Sequence, residues 1–451
     1  MEIIPLKKLA ITQSGGTPSR RKPSNFMGKI NWLKSGELND GLVLSSEEKI
    51  SEEALNKSSA KIFPAGTALI AMYGATAGKT AVLGEDAATN QAICAIIPKK
   101  NNLDSHYVQY YLVYKRSDLL SMRIGGAQPN LNQEIIKNIE FPFCPLSQQQ
   151  RIVSKIDEIF SKLDAGQSAL KHARANLNRY RQSLLASAFS GELTKKWREE
   201  HKGELEPASE LLKRIRGERR ARWAEDLRAK GKDPNRYTYT EPESADTSEL
   251  PDLPEGWIWV RLEEITLPVK KVKPREKPEE IFFYIDISSV NNSKLQITRP
   301  KRYKGSNAPS RARQLVHTGD VLFSSVRTYL KNITLVPRTY NNQIASTGFI
   351  VLRTPLIELN QYIFYYIQQD EYISEISLKQ RGVSYPAIRP EDLLDTFLPL
   401  PPHNEMERIS SLFFNSNYEV NNLERIVQMK YIEVGKLKKA ILEKAFSGHL
   451  V

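Results

Sequence analysis

The strongest constraint on this chain is that it contains one long stretch twice. Pro142, Pro145, Arg151, Ile152 and the run Ala188-Phe189-Ser190-Gly191 recur, in order and at unchanged spacing, as Pro399, Pro402, Arg408, Ile409 and Ala445-Phe446-Ser447-Gly448. A duplicate that needs no gap and ends on the same four residues is an internal repeat, so the chain is expected to form two related halves. Each copy reads as a single long helix. Ser147 with Gln150, and Asn404 with Glu407, have the spacing of a capping box and predict where the helices start. Beyond those caps Ile156, Leu163, Leu170, Leu177 and Leu184 recur at heptad spacing, as do Phe413, Val420, Val427, Val434 and Ile441. Ile159, Gly166, Ala173 and Tyr180 in one copy, and Leu423 and Leu437 in the other, widen each row into a seam. Two such helices in one chain are expected to bury their seams on each other. A helix of about 40 residues is about 60 Å long, which is spacer length. Gly191 and Gly448 stand where a left-handed residue closes a last turn. The competing reading makes these ordinary core helices of one large domain.

A chain of 451 residues exceeds what one compact core serves, and the repeat divides it into two globular units plus the helices. The net charge of +13 comes from Lys and Arg spread along the chain, which makes nucleic acid the first partner to consider. The two cysteines, Cys94 and Cys144, sit in apolar contexts and are expected in the core rather than in a disulfide framework or metal site. No apolar run approaches membrane-spanning length, and the N-terminus lacks a signal peptide's apolar segment. A cytoplasmic protein with no membrane partner is expected.

Residues 1–145 alternate short apolar runs with Gly, Pro, Asn and Ser, the pattern of strands and turns, with one helix carrying Tyr107, Tyr110 and Tyr111. Residues 256–402 repeat these landmarks: Thr318-Gly319-Asp320-Val321-Leu322-Phe323 parallels the strand after Gly66, and Tyr362, Tyr365 and Tyr366 parallel the tyrosine helix. The predicted fold class is therefore α+β, with two similar domains (1–145 and 256–402), two long helices (146–193 and 403–451) paired antiparallel as a coiled coil, and an internal pseudo-twofold repeat. Between the halves, 194–255 has no counterpart. It holds an arginine-rich helix with a thin apolar stripe, Leu211, Leu212, Ile215 and Trp223, whose charged face is expected in solvent, followed by a proline-punctuated linker.

Catalytic motifs fail on inspection. Gly74-Ala75-Thr76-Ala77-Gly78-Lys79-Thr80 resembles a phosphate loop, but Tyr73 holds the position of the first glycine and the following Ala81-Val82-Leu83 is strand-like. Pro401-Pro402 invites comparison with an amino-methyltransferase tetrapeptide, yet Leu400 stands where Asn or Asp must accept the amine hydrogens and His403 where an aromatic should stack. Asp40 with Glu47-Glu48-Lys49 is the nearest approach to a Mg²⁺ nuclease pattern, and residues this common reach that spacing by chance. The six histidines have no metal-ligand spacing.

What remains is basic, polar and aromatic loop chemistry suited to DNA. Gly15-Gly16-Thr17-Pro18 leads into Arg20, Arg21 and Lys22, a loop that can bring backbone N–H groups and cations to phosphate. Lys79 follows in the Gly74 loop, and Arg327, Tyr329 and Lys331 occupy the matching place in the second half. Arg123, Gln128 and Asn130 near the end of the first domain match Arg381 and Tyr385 near the end of the second, which adds Lys301, Arg302, Lys304, Arg311 and Arg313. The Lys and Arg side chains are candidates for phosphate; Gln128, Asn130, Arg327, Tyr329 and Tyr385 are candidates for base edges. Any one of them alone is more commonly a solvated side chain; their clustering in matched loops of a duplicated scaffold is what favours DNA.

With these pieces in order, the chain resembles the specificity (S) subunits of type I restriction-modification systems. The resemblance runs nearly its whole length: a first domain opening with Gly15-Gly16-Thr17-Pro18, a spacer beginning Pro145-Leu146-Ser147-Gln148-Gln149-Gln150-Arg151-Ile152 and ending Ala188-Phe189-Ser190-Gly191, then a second domain and spacer. It implies two target recognition domains that each read half of a bipartite double-stranded DNA sequence, and two antiparallel helices that fix the gap. It implies no catalysis and no cofactor in this chain. Two methylation subunits would bring S-adenosylmethionine, and restriction subunits would bring ATP and Mg²⁺. The second spacer departs from the pattern, opening with His403-Asn404-Glu405-Met406-Glu407 and placing Lys430 and Lys444 beside its seam. Two other classes stay open at this stage: a coiled-coil adaptor that never touches DNA, and a self-contained methyltransferase or nuclease.

Overall fold

A computed structural model describes residues 1–122, 130–243 and 246–450. The chain packs into two compact units, Met1–Ala173 with Ile426–Val451, and Arg174–Arg425. Both long helices, Leu146–Phe189 and His403–Phe446, run to 44 residues and contribute to each unit.

In the first unit a five-stranded sheet orders Ala10–Ser14, Ile93–Pro98, Ala68–Ala71, Thr80–Leu83 and Leu42–Val43. The central strands are buried at every position, so they read as unbroken apolar runs. Successive side chains still serve opposite faces: Ala68 and Ile70 pack under the helix Ser105–Ser121 with Tyr107, Val108 and Leu112, while Leu69 and Ala71 face Leu33, Phe63 and Leu83. Asp104 caps that helix by accepting the Tyr107 amide. A second sheet sets Ile30–Leu33 parallel to Ala87–Thr89. The second unit repeats the plan, with Ile281–Ile285 parallel to Gln343–Ser346 and the strand Val321–Ser324 splitting its side chains between two cores. Both domains are α+β, as expected. Cys94 and Cys144 are buried and unbridged.

The duplication is visible atom by atom. Glu2–Pro5 pairs with Glu140–Phe143 so that Ile3 faces Pro142, and Ile258–Arg261 pairs with Phe397–Leu400 so that Trp259 faces Pro399. The Tyr107 hydroxyl donates to the Pro142 carbonyl (2.9 Å), and Tyr362 donates to Pro399 (2.7 Å). Phe446 packs on Tyr107, Tyr111 and Tyr114, and Phe189 packs on Tyr362 and Tyr366. Each tyrosine helix is thus closed by the phenylalanine that ends the long helix of the other repeat, which gives the repeated Ala-Phe-Ser-Gly a packing reason. Gly191 and Gly448 take positive φ (79° and 83°), as a helix-closing residue requires.

Three sequence expectations change. The capping boxes do not form: the first helix begins at Leu146, with the Pro145 carbonyl accepting from Gln148 and Gln149, so Ser147 lies inside the first turn. Gln149 is instead buried, accepting the Asp104 amide and donating to the Asn102 and Cys144 carbonyls. The second helix likewise starts at His403, and Glu407 pairs with His403 rather than closing a box on Asn404. The seam keeps its heptad row but loses part of its flanking row. Ile156, Phe413 and Val420 are buried and Leu163, Leu170, Leu177, Leu184, Val427, Val434 and Ile441 half-buried, as are the flanking Ile159 and Ala173, but Gly166, Tyr180, Leu423 and Leu437 are exposed. Polar residues take the flanking row: Arg181 bonds Asn417, Asn421 and Glu424 in the second unit, and Lys438 pairs with Asp164 over the Phe160 ring in the first. In both units residues early in one helix meet residues late in the other, so the packing is antiparallel. Finally, the arginine-rich helix Ala208–Ala229 is not simply solvated. Ala208, Leu211 and Ile215 join the core around Trp257 and Leu262, Arg216 pairs with Glu264 (2.6 Å), and Arg219 donates to the Glu263 and Thr266 carbonyls. Fully buried Glu405 fastens the start of the insertion, accepting from Thr194 Oγ1 (2.6 Å), Arg198 (2.6 Å) and Trp257 Nε1 (2.9 Å).

Candidate nucleic-acid interface

In the first domain the Gly15-Gly16 turn is a packing device. A Cβ on Gly15 would lie 2.0 Å from the Thr89 carbonyl oxygen, and the Gly16 amide is already donated to that oxygen, so this N–H does not reach phosphate as the sequence had promised. Its effect is to seat the following loop. Arg20 lies over the Phe26 ring at 4.5 Å and pairs with Glu48 (2.9 Å), and Lys22 pairs with Glu53 (2.8 Å). Lys22 and Lys57 together hold the Glu53 carboxyl down to about 2. Arg21, exposed between them, has no acidic partner among the described residues.

Lys79 belongs to a cluster that sequence reasoning missed. Asp40, at φ 64°, accepts from the Thr80 amide (3.0 Å) and pairs with Lys79 (3.1 Å) and Arg116. Burial pushes the Asp40 carboxyl up, but Thr80, Arg116 and Lys79 outweigh it and leave it below the usual carboxylate range. Gly74–Thr76 is a 3₁₀ turn leading to the strand Thr80–Leu83, so no helix N-terminus faces this loop. Partners so distant in sequence leave no local signal. Asn130 is half-buried; Arg123 and Gln128 lie outside the described residues.

The second domain presents a more built surface. Arg327 (φ 50°) and Lys331 (φ 51°) both adopt left-handed backbone around the turn Thr328–Leu330, a conformation that costs about 1–3 kcal/mol at each non-glycine residue. The strain throws Tyr329 outward, exposed, and turns Arg327 onto the Tyr385 ring at 4.9 Å while its Nη2 donates to the Ser384 carbonyl (3.0 Å). Lys331 is held by the Gln368 carbonyl (2.8 Å) and Asp370. The loop carrying Tyr385 is closed by reciprocal Arg381 and Ala387 backbone hydrogen bonds (2.8 and 3.0 Å), and Arg381 is clamped by both carboxylate oxygens of Asp392 (2.5 and 3.1 Å). That hydrogen bond holds the Asp392 carboxyl down to about 2, so the clamp is complete above the ordinary carboxylate range and opens only as pH falls toward that value. At the tip Val383 is 99% exposed and Tyr385 73%. A fixed turn that displays an apolar side chain and a stacked Arg–Tyr pair offers a thymine-methyl contact and a guanine donor together. Lys301, Arg302 and Lys304 lie on the edge strand Lys301–Lys304; Lys304 pairs with Glu279, whereas Lys301 and Arg302 have no acidic partner among the described residues. Arg311 is exposed, and half-buried Arg313 donates to the Ser310 carbonyl.

Among the described residues no His, Cys, Asp or Glu cluster could hold a metal ion, and no helix is long and apolar enough to cross a membrane. Fold and surface together define a class: two repeat-related α+β domains on a pair of long helices, each displaying basic and aromatic loops. The comparisons with known proteins agree. The profile of the type I restriction modification DNA specificity domain matches residues 1–177. The EcoDI specificity subunit of a type I restriction enzyme from Escherichia coli is 23% identical over 335 residues, covering 72% of this chain and 66% of that protein, a little under two thirds of its length. The MjaIX specificity subunit from Methanocaldococcus jannaschii is 22% identical over 99% of this chain and 92% of its own. A chain solved in work on complex assembly and conformational transition of the type I R-M system shares the fold with a TM-score of 0.69, at 18% identity over 99% of this chain and 98% of that one. Residues 1–177 thus match the specificity domain of type I restriction modification, and the whole chain is similar in sequence to type I restriction enzyme specificity subunits.

Proposed function

We propose that the chain is the non-catalytic DNA-recognition subunit of a type I restriction-modification complex, working in the cytoplasm on double-stranded DNA. Each domain reads one half of a bipartite target. The paired helices set the gap and carry outer faces for two methylation subunits, while restriction subunits complete the assembly. S-adenosylmethionine, ATP and Mg²⁺ act in those partners. The observation that carries this reading is the duplicated interface: two domains with the same tyrosine-to-carbonyl hydrogen bond, each closed by the other repeat's terminal phenylalanine, yet with unlike loops in equivalent places. A shared scaffold with divergent loops fits two half-sites of different sequence. Arg20, Arg21, Lys22, Lys301, Arg302 and Arg311 supply phosphate contacts, and Arg327, Tyr329 and Tyr385 the base contacts. The test is to sequence methylated adenines in cells expressing this chain with its methylation subunit and in cells lacking it. A new split motif is expected; an assembled, active complex that adds no methylation would favour the adaptor.

A further inference from the structure

In the second unit, the first long helix and the second domain enclose a cleft of about 610 Å³. The helix lines it with Arg174, Asn178, Arg179 and Arg181, and the domain with Asn292 and Lys331. Residues 174, 178 and 181 fall on one helix face, with 179 at its edge. Only two acids line the cleft, and both are taken: Asp370 by Lys331 and Glu424 by Arg181. Arg174 and Arg179 are exposed and make no ion pair among the described residues, so the cleft carries uncompensated positive charge.

The repeat supplies an internal control. The first unit has a cleft in the equivalent place, about 860 Å³, where Gly435, Lys438 and Lys439 stand in the repeat positions of Asn178, Arg181 and Gln182. There Asp40, Asp157 and Asp164 balance Arg116, Lys438 and Lys439, and Tyr110, Tyr114 and Phe160 form the walls. At the same shift Arg179 corresponds to exposed Lys436, outside the first cleft's lining, and Arg174 to Tyr431, so it is Arg174 that has no basic counterpart in the other repeat. Guanidinium forks match phosphate oxygens bidentately, and a concave protein wall concentrates their field.

We propose that the second cleft seats backbone phosphates of DNA through Arg174 and Arg179, so that the helix as well as the domain loops grips the duplex in this unit. The proposal rests on the DNA-recognition reading and extends it to a surface outside the loops.

The test measures binding of the full chain, assembled with its methylation subunit, to a fluorescent duplex over a range of salt concentrations. Each lost phosphate contact lowers the slope of log K against log salt by about 0.9. Arg174→Gln with Arg179→Gln should lower it by about one to two, alike on a target duplex and an unrelated one, and Arg→Lys at both positions should restore most of it. Arg214→Gln with Arg220→Gln removes the same charge from arginines already paired with Glu206 and Glu241, and should leave the slope in place. An unchanged slope in the cleft variant overturns the proposal, as does an equal change in the Arg214/Arg220 control. Loss of methylation-subunit assembly at constant slope also overturns it, by making the cleft a protein dock. Failure of the wild-type complex to bind any duplex would instead sink the underlying DNA reading.

Discussion

Arg327 and Tyr385 are ordered before any DNA arrives. The guanidinium is stacked on the ring, tied to the Ser384 carbonyl and based on a left-handed residue, so little side-chain freedom is left to lose on binding. If this pair reads a base, Arg327→Ala or Tyr385→Ala should lower discrimination at one position of one half-site by about 1–3 kcal/mol, roughly five-fold to 150-fold. The other half-site should be untouched. Sequencing methylated adenines from cells carrying each variant gives the answer directly, and relaxation spread over both half-sites would refute the assignment. These residues could be named from sequence because the repeat aligns their loops, but their geometry could not. Nothing local signals that Asp392 clamps Arg381 or that Arg116 shares Asp40 with Lys79. Such pairings arise only when strands distant in sequence are brought side by side.

At the level of elements, periodicity exposed the long helices and the buried row Ile156, Phe413 and Val420, because a heptad pattern is a local property. Which neighbouring row completes the seam depends on how the two helices are rotated against each other. That choice half-buried Arg181, Glu424 and Lys438, set exposed Asp164 at the rim as the partner of Lys438, and left Leu423 and Leu437 about half exposed, at 49% and 50%. The insertion 194–255 had no counterpart to interpret it by; its long helix is held by core packing and the Arg216–Glu264 pair, and its start is held by one carboxylate that the sequence does not single out. Glu405 carries no solvent exposure and holds Thr194, Arg198 and Trp257. Removing one member of a buried ion pair leaves the other charge unpaired and costs about 3–5 kcal/mol. Glu405→Ala is therefore expected to lower stability by that order in urea unfolding followed by tryptophan fluorescence, and to speed protease cleavage within 194–255. Unaltered cleavage together with unaltered stability would mean the insertion is fastened elsewhere.

At the scale of the whole molecule, the proposed function separates two properties that most DNA-binding proteins combine. Base identity would reside in domain loops, and the gap between half-sites in helix length. Asp164 faces Lys438, so residues 164–170 of the first helix and 432–438 of the second lie on antiparallel segments within one unit. Duplicating both stretches adds one heptad to each helix and keeps the seam in register. It lengthens the pair by about 10 Å, about three base pairs at 3.4 Å each. The expected product is a methylated motif with the same bases in each half and a wider gap, read by sequencing methylated adenines. Duplicating only one stretch should fail, because the unmatched heptad displaces the Asp164–Lys438 pair and slides the half-buried rows past each other. New bases at an unchanged gap would show that the helices do not act as a ruler. An unchanged motif from the doubly extended chain would mean that the methylation subunits, rather than this helix pair, hold the half-sites apart.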